Sequence, residues 1–286
     1  MKASIILTSY NYENFISQAI ESVIAQTICD WELIIIDDGS KDNSLNIIKE
    51  FCKKDDRIKL YTHSQNKNKG LVASVKLGLE KAKNEWIAFL ESDDYLAPNY
   101  LEEKIKFIEK YPDCKFLYND VQSFGSSKKI KKHKLYLNKI NKLWQDNEYN
   151  DVFNAFGNEN IVPTFSCVMC KKEEILKCDL NPICPPVFDY WLWWQIAENN
   201  QFGFINKKLT YWRFHENSYI SNSIRTFKHH IERSLFINQI TKKFKRNCNL
   251  NTAILFEKII FISLIKYLIL FIKRNPPAFI KKILNK

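Results

Sequence analysis

The stretch Trp31-Glu32-Leu33-Ile34-Ile35-Ile36-Asp37-Asp38-Gly39-Ser40 decides the fold class. Its apolar, β-branched core is too short for a helix and lacks the alternation of a half-exposed strand. Such a run reads as a strand buried on both faces, the mark of a parallel sheet. It stops at two carboxylates, a glycine and a hydroxyl. The pattern returns at Trp86-Ile87-Ala88-Phe89-Leu90-Glu91-Ser92-Asp93-Asp94, again with acids directly after the apolar run.

Working outward, residues 2–8 form another short apolar run and read as the first strand. Between the strands lie segments of helical period. Phe15, Ile16, Ala19, Ile20, Val23 and Ile24 share one face of a helix over 15–26. Helices are also predicted over 44–52, 72–82 and 98–110, and further strands over 58–63 and 115–121. This alternation predicts an α/β chain with a parallel, doubly wound sheet. Ligands of open α/β sheets bind at the carboxyl ends of the strands. The clusters Asp37/Asp38 and Glu91/Asp93/Asp94 are therefore expected to face one crevice. Residues 122–160 are less regular, and their basic run (Lys128, Lys129, Lys131, Lys132, Lys134) reads as a solvated loop. Strand character returns at 164–170. A helix over 189–198 carries Tyr190, Trp191, Trp193 and Trp194, and 211–215 reads as a short strand or turn.

Composition excludes several classes. Of 286 residues, 45% are hydrophobic and 26% charged, a globular balance rather than a disordered one. The six glycines have neither GxGxxG nor GxxxxGK[ST] spacing, which removes the dinucleotide fingerprint and the P-loop. The apolar run at the start is too short for a secretory signal, so an intracellular chain with reduced thiols is expected. Cys167, Cys170, Cys178 and Cys184 have zinc-like spacing. On a strand, however, residues three apart point to opposite faces, which disfavours a shared metal. The net charge is +11, and residues 220–286 hold 14 basic residues against two acidic ones. The body is thus near neutral and the tail strongly basic.

Residue chemistry alone leaves alternatives open. Glu91, Asp93 and Asp94 make an oxygen-rich cluster suited to Mg²⁺ or Mn²⁺ bridged to phosphates, or else a solvated acidic turn. Asp189 among aromatic rings is a general base with a raised pKa, or a helix N-cap. Its tryptophans stack on a sugar or belong to the core. Arg213 and His215 would share a strand face and bind a diphosphate, or form a surface pair.

Taken together and in order, five segments resemble family 2 of the glycosyltransferases over about residues 1–220. They are Ser4-Ile5-Ile6-Leu7-Thr8-Ser9-Tyr10-Asn11 with 32–40, Asn68-Lys69-Gly70 with Gly78-Leu79-Glu80-Lys81-Ala82, 86–94 with Pro98, Phe188-Asp189-Tyr190 with Trp193, and Tyr211-Trp212-Arg213-Phe214-His215 with Ser218. The resemblance implies a GT-A fold: a mostly parallel Rossmann-like sheet flanked by helices. Residues 1–121 would be its nucleotide-binding half and 122–220 its acceptor-binding half. It further implies a UDP-sugar donor, a divalent cation (Mn²⁺ or Mg²⁺) and inversion at the anomeric carbon. By position, Thr8, Tyr10 and Asp38 would hold the nucleoside, with Ser92 and Lys76 in the donor site. Asp93 would be the main metal ligand, with Glu91 near ribose and metal. Asp189 would be the base, and Arg213 and His215 would meet the diphosphate, His215 also as a metal ligand. Three positions depart from the family pattern: Glu91 replaces an Asp, Phe188 replaces the Glu before the base, and Lys76 stands where an Arg is customary.

Residues 221–286 read as a basic amphipathic helical tail. The apolar run 259–272 is shorter than the ~18 residues of a spanning helix. Phe279, Ile280, Ile283 and Leu284 share one helical face beside lysines, which suits an anionic membrane surface. Packing on the domain and a true span are the alternatives. A peripheral enzyme at the inner face of the plasma membrane suits a glycan or polyprenyl-linked acceptor. The tail's aromatics lie in apolar runs rather than between arginines, so no nucleic-acid partner is expected. An inactive sugar-nucleotide-binding relative and a sugar-phosphate nucleotidyltransferase remain as alternatives, and the oligomeric state stays open.

Overall fold

The computed structural model describes residues 2–125, 127–144, 147–156, 160–182 and 185–215. The chain divides into two compact units. One comprises Met1–Asn181 with Phe188–Glu216, the other Pro182–Val187 with Asn217–Lys286. In the second unit, only a short 3₁₀ turn at Pro185–Val187 falls among the described residues. The expectations for the tail lie outside them.

The first unit opens with β1 (Ala3–Ser9), α1 (Ile16–Ile24), β2 (Trp31–Asp37), α2 (Ser44–Lys54), β3 (Ile58–Thr62), α3 (Leu71–Lys81) and β4 (Trp86–Glu91). The four strands lie side by side in the order β3-β2-β1-β4, all parallel. Ile5, Leu7, Leu33, Ile35, Ala88 and Leu90 are buried to within 1% of full enclosure. α1 covers them with Ile16, Ala19, Ile20 and Val23, the face its spacing predicts. α3 lies close to β1 because it presents Gly78: a Cβ there would meet Ile6 Cγ2 at 2.5 Å. Register then fixes the site. Thr8 pairs with Glu91 and Ser9 with Asp37, so the two acid-bearing strand ends flank the end of β1.

The second half adds β5 (Tyr95–Leu96), α4 (Tyr100–Lys110), β6 (Phe116–Gly125), α5 (Ser127–Asn141), β7 (Tyr149–Asn150), α6 (Phe153–Phe156), β8 (Val168–Lys171), α7 (Lys172–Leu176), α8 (Phe188–Ala197) and β9 (Phe202–Phe214). The sheet continues β4-β8-β6-β9-β5, with β7 on β9. Here β6 and β9 are parallel, but β8 runs against both β4 and β6, and β5 and β7 run against β9. The parallel first half is as expected, and the far half makes the whole sheet mixed.

Three local expectations are corrected. The basic run is helix, not loop: α5 buries His133, Leu137 and Ile140, a spacing masked by the lysines between them. Residues 164–170 begin as a 3₁₀ turn at Phe165–Cys167 before β8 starts. The short strand at 211–215 is the end of the 13-residue β9. Asn206, Lys207 and Lys208 are exposed in mid-strand, where the β6 partner steps from Ile205 at Asn119 to Lys208 at Asp120. A bulge of this kind bends the strand and breaks the hydrophobic alternation that sequence reading depends on.

Candidate functional site

Asp37 ends β2 fully buried, and its carboxylate is spent on the turn. Oδ1 accepts from the backbone N–H of Gly39 (3.2 Å) and Ser40 (3.0 Å), and Oδ2 accepts from Ser40 Oγ (2.5 Å). Gly39 has φ +82°, and a Cβ there would lie 2.6 Å from Asn66 O. Only glycine fits that position. Asp38 turns the other way. Its oxygens accept from Lys69 N (2.6 Å) and Gly70 N (2.8 Å), which pins the 67–70 loop to the end of β2. Oδ1 also lies 3.4 Å from Nε2 of the buried His63, so the aspartate is enclosed on that side as well. Tyr10 beyond β1 is 42% exposed and free to flank a ring. Thr8 O accepts from Ser92 Oγ at 2.5 Å, which ties β1 to the acidic turn.

That turn is assembled by β5 and β9. Tyr95 pairs with Tyr211, their rings stacked 4.4 Å apart, so Asp93 and Asp94 fall beside the last residues of β9. Asp93 Oδ2 lies 2.9 Å from His215 Nε2, and Asp93 O accepts from Arg213 Nε at 2.8 Å. The Arg213 guanidinium sits over Phe15 and Phe124 and donates to Gln18 Oε1. Asp94 is almost completely buried. It accepts from Ser166 Oγ (2.6 Å) and from the N–H of Arg213 (2.9 Å). It is therefore a strap between β4, the 3₁₀ turn and β9. Glu91 accepts from Thr164 Oγ1 at 2.5 Å. Burial first, then the charge of Asp93, pushes the Glu91 carboxyl up to about 8, and the same causes raise Asp94 well above the carboxylate range.

Asp189 stands in the first turn of α8. The helix is apolar all round: Phe188, Leu192, Trp193, Trp194 and Ile196 are at most 2% exposed. Those tryptophans are core, and they hold the Asp189 backbone still rather than stacking on a sugar. Asp189 itself is half-buried, and its Oδ2 accepts from Asn160 Nδ2 at 2.9 Å. Burial pushes its carboxyl up to about 6, against the pull of the Tyr190 N–H and the Asn160 amide. Asn160 is the residue that sequence reading missed. Its own amide is oriented because Oδ1 accepts from Val162 N, and its carbonyl accepts from Tyr136 Oη on α5. No motif marks it; only the fold brings it to Asp189. Lys76 on α3 donates to Asn181 Oδ1 at 2.7 Å.

Glu91, Asp93, Asp94 and Asp189 form an excess of carboxylate, with Arg213 as the adjoining fixed cation. Asp93 Oδ2 and His215 Nε2 converge, a hard oxygen beside an imidazole, and both are donor types that divalent cations accept. Among the described residues, no group of three His, Cys, Asp or Glu side chains is arranged as a complete metal cage. Two protein donors with phosphate oxygens completing the shell is the usual arrangement for divalent cations on nucleotides. Cys167 and Cys170, from the zinc-like spacing, donate their thiols to Thr164 O and Lys171 O, while Cys184 lies outside the described residues.

A parallel half-sheet with acids at its carboxyl edge, completed by a mixed half-sheet carrying Arg213 and His215, is the GT-A architecture. The model for glycosyl transferase family 2 matches residues 4–174, and the chain belongs to that family. Over 233 residues it is 32% identical to the UDP-Glc:alpha-D-GlcNAc-diphosphoundecaprenol beta-1,3-glucosyltransferase WfgD of Escherichia coli, covering 79% of this chain and 82% of that one. An uncharacterized glycosyltransferase of Haemophilus influenzae is 38% identical over 136 residues, or 44% of this chain and 54% of that protein. The chain thus spans about half the length of that curated relative. Two solved structures share the fold. Staphylococcus aureus TarS 1-349 in complex with UDP-GlcNAc has a TM-score of 0.62 at 18% identity, over 84% of this chain and 66% of that one. The mannosyltransferase PcManGT of Pyrobaculum calidifontis, in complex with GDP-Man and Mn²⁺, has 0.60 at 12%, over 87% and 65%.

Proposed function

We propose that the chain is an inverting glycosyltransferase that moves a sugar from a UDP-sugar to a hydroxyl of a glycan or polyprenyl-linked acceptor. The observation that carries this reading is Asp189: a carboxylate with a raised pKa, fixed by Asn160, close enough to the β4 acids for its charge to be felt at Glu91. A base poised near neutrality beside a phosphate-binding cluster suits deprotonation of a hydroxyl during attack. The E. coli relative, whose name states a UDP-sugar donor, a lipid-diphosphate acceptor and a β linkage, supports the substrate classes.

In this mechanism Tyr10, Thr8 and Asp38 hold the nucleoside, with Ser92 fixing the end of β1 beneath it. Asp93 and His215 would hold the divalent cation, whose charge would offset that of the diphosphate. Arg213, locked by Asp93 O and Gln18, presents its remaining N–H groups to the same phosphates. Asp189 removes the acceptor proton as the hydroxyl attacks the anomeric carbon opposite the diphosphate. The carbon–oxygen bond to UDP breaks as the new glycosidic bond forms, so the centre inverts and no enzyme-bound sugar is needed. Lys76, tied to Asn181, borders the donor site. The tail would keep the enzyme at the cytoplasmic face of the plasma membrane; among the described residues, no helix is long and apolar enough to cross a membrane.

The reading is tested by incubating the full chain and Mn²⁺ with a panel of UDP- and GDP-sugars and a polyprenyl-diphosphate-linked sugar. Transfer from one UDP-sugar with a β-configured product by NMR is expected. Transfer confined to GDP-sugars, or retention of configuration, overturns it. Asn160→Ala supplies a second test. It removes a donor that lowers the Asp189 pKa, so the acid limb of kcat/KM near pH 6 should move to higher pH. The KM for donor should change little, and an unmoved limb would detach Asn160 from the base.

A further inference from the structure

We infer that the outer face of α5 docks the protein onto an anionic lipid surface. One side of the helix, with the turn that follows it, is packed into the fold. His133, Leu137, Ile140 and Trp144 are buried, and Ser123 lies 2.6 Å from His133 Nδ1. The opposite arc, continued by the 3₁₀ turn at Lys142–Trp144, carries Leu135, Lys139, Lys142 and Leu143, all exposed, with Leu135 at 68% and Leu143 at 44%. Between 127 and 144 the sequence holds seven lysines and no acidic residue. Lys139 follows Leu135 by four residues and Lys142 follows Lys139 by three, the spacing of one face.

This face combines a single sign of charge with two exposed leucines, Leu135 and Leu143. Lysines around exposed leucines are the composition of a helix lying in a headgroup layer: ammonium groups meet anionic lipids and leucines enter the acyl boundary. A soluble polyanion would engage the lysines and leave the leucines in water. The surface lies near the chemistry, because Tyr136 of α5 holds Asn160, which holds Asp189. The inference stands apart from the reading of the reaction, since it concerns binding and not transfer.

The test uses the full chain and vesicles of phosphatidylcholine, with or without phosphatidylglycerol. Hydrogen exchange over residues 131–144 should slow on the anionic vesicles alone. Leu135→Ser/Leu143→Ser should weaken vesicle binding by about tenfold, and so should Lys134→Glu/Lys139→Glu/Lys142→Glu. UDP binding by both variants reports that they are folded. Protection confined to residues 217–286, with unchanged affinity of both variants, overturns the inference. Protection of 131–144 by heparin but not by vesicles overturns it in favour of a soluble polyanion.

Discussion

Asp189→Asn abolishes transfer while leaving UDP binding intact. The substitution conserves shape, and the new amide oxygen can still accept from Asn160 Nδ2, so α8 and its tryptophans stay in place. What disappears is the ability to take a proton. General-base removal costs about 100- to 10,000-fold in rate, or about 2.7–5.4 kcal/mol at about 1.36 kcal/mol per decade. Wild-type kcat/KM should rise with pH through about 6, because burial raises the Asp189 pKa and only its ionised form accepts a proton. The residual activity of the variant should lack that limb. Steady-state assays across pH, with calorimetric titration of UDP into both proteins, read both quantities. A variant that loses UDP binding while folded makes Asp189 a donor-site residue instead, and one that keeps its rate removes it from the chemistry.

The nucleotide-side half of the fold was readable because its physics is local. Residues 33–36 and 87–90 are buried on both faces, so their apolar runs survive any tertiary context. The acids follow directly in sequence, and parallel register brings their strand ends together. The far half resisted for reasons that can be named. In α5 the lysines outnumber the apolar anchors, and the helix forms because His133, Leu137 and Ile140 find a sheet to bury against. In β9 the exposed 206–208 segment looks like a loop until β6 is seen to skip across it. Asn160 was invisible because a contact across 29 residues leaves no local pattern.

The two acid clusters also turned out unequal. Residue type made Asp37 and Asp38 look like a second carboxylate site. Asp37 is instead consumed by the Gly39–Ser40 turn, and Asp38 holds the 67–70 loop. Their conformational work makes the crevice wall, whereas the Asp93 carboxylate faces the His215 ring instead of a turn. The distinction depends on which backbone N–H groups lie within reach, and composition does not encode that.

The Asp93 carboxylate is the basis of the second large effect. In Asp93→Ala, UDP affinity in the presence of Mn²⁺ should fall to the value wild type shows without metal. The substitution removes the Oδ2 that meets His215 Nε2 but leaves the Asp93 carbonyl that accepts from Arg213, so the fold of the turn survives. It also takes away the charge that, after burial, holds the Glu91 carboxyl up near 8, so Glu91 should ionise at lower pH. If Asp93 is one of the two proposed metal ligands, its loss should lower kcat/KM by at least about 100-fold, or about 2.7 kcal/mol. Calorimetry of UDP with and without Mn²⁺ separates two accounts of Asp93. If it is a metal ligand, its removal erases only the metal-dependent part of the affinity. If it serves only to position His215, affinity drops equally in both conditions and a wild-type-sized response to Mn²⁺ persists. That second outcome would move the cation from Asp93 to Glu91, whose remaining carboxylate oxygen lies outside the bond to Thr164.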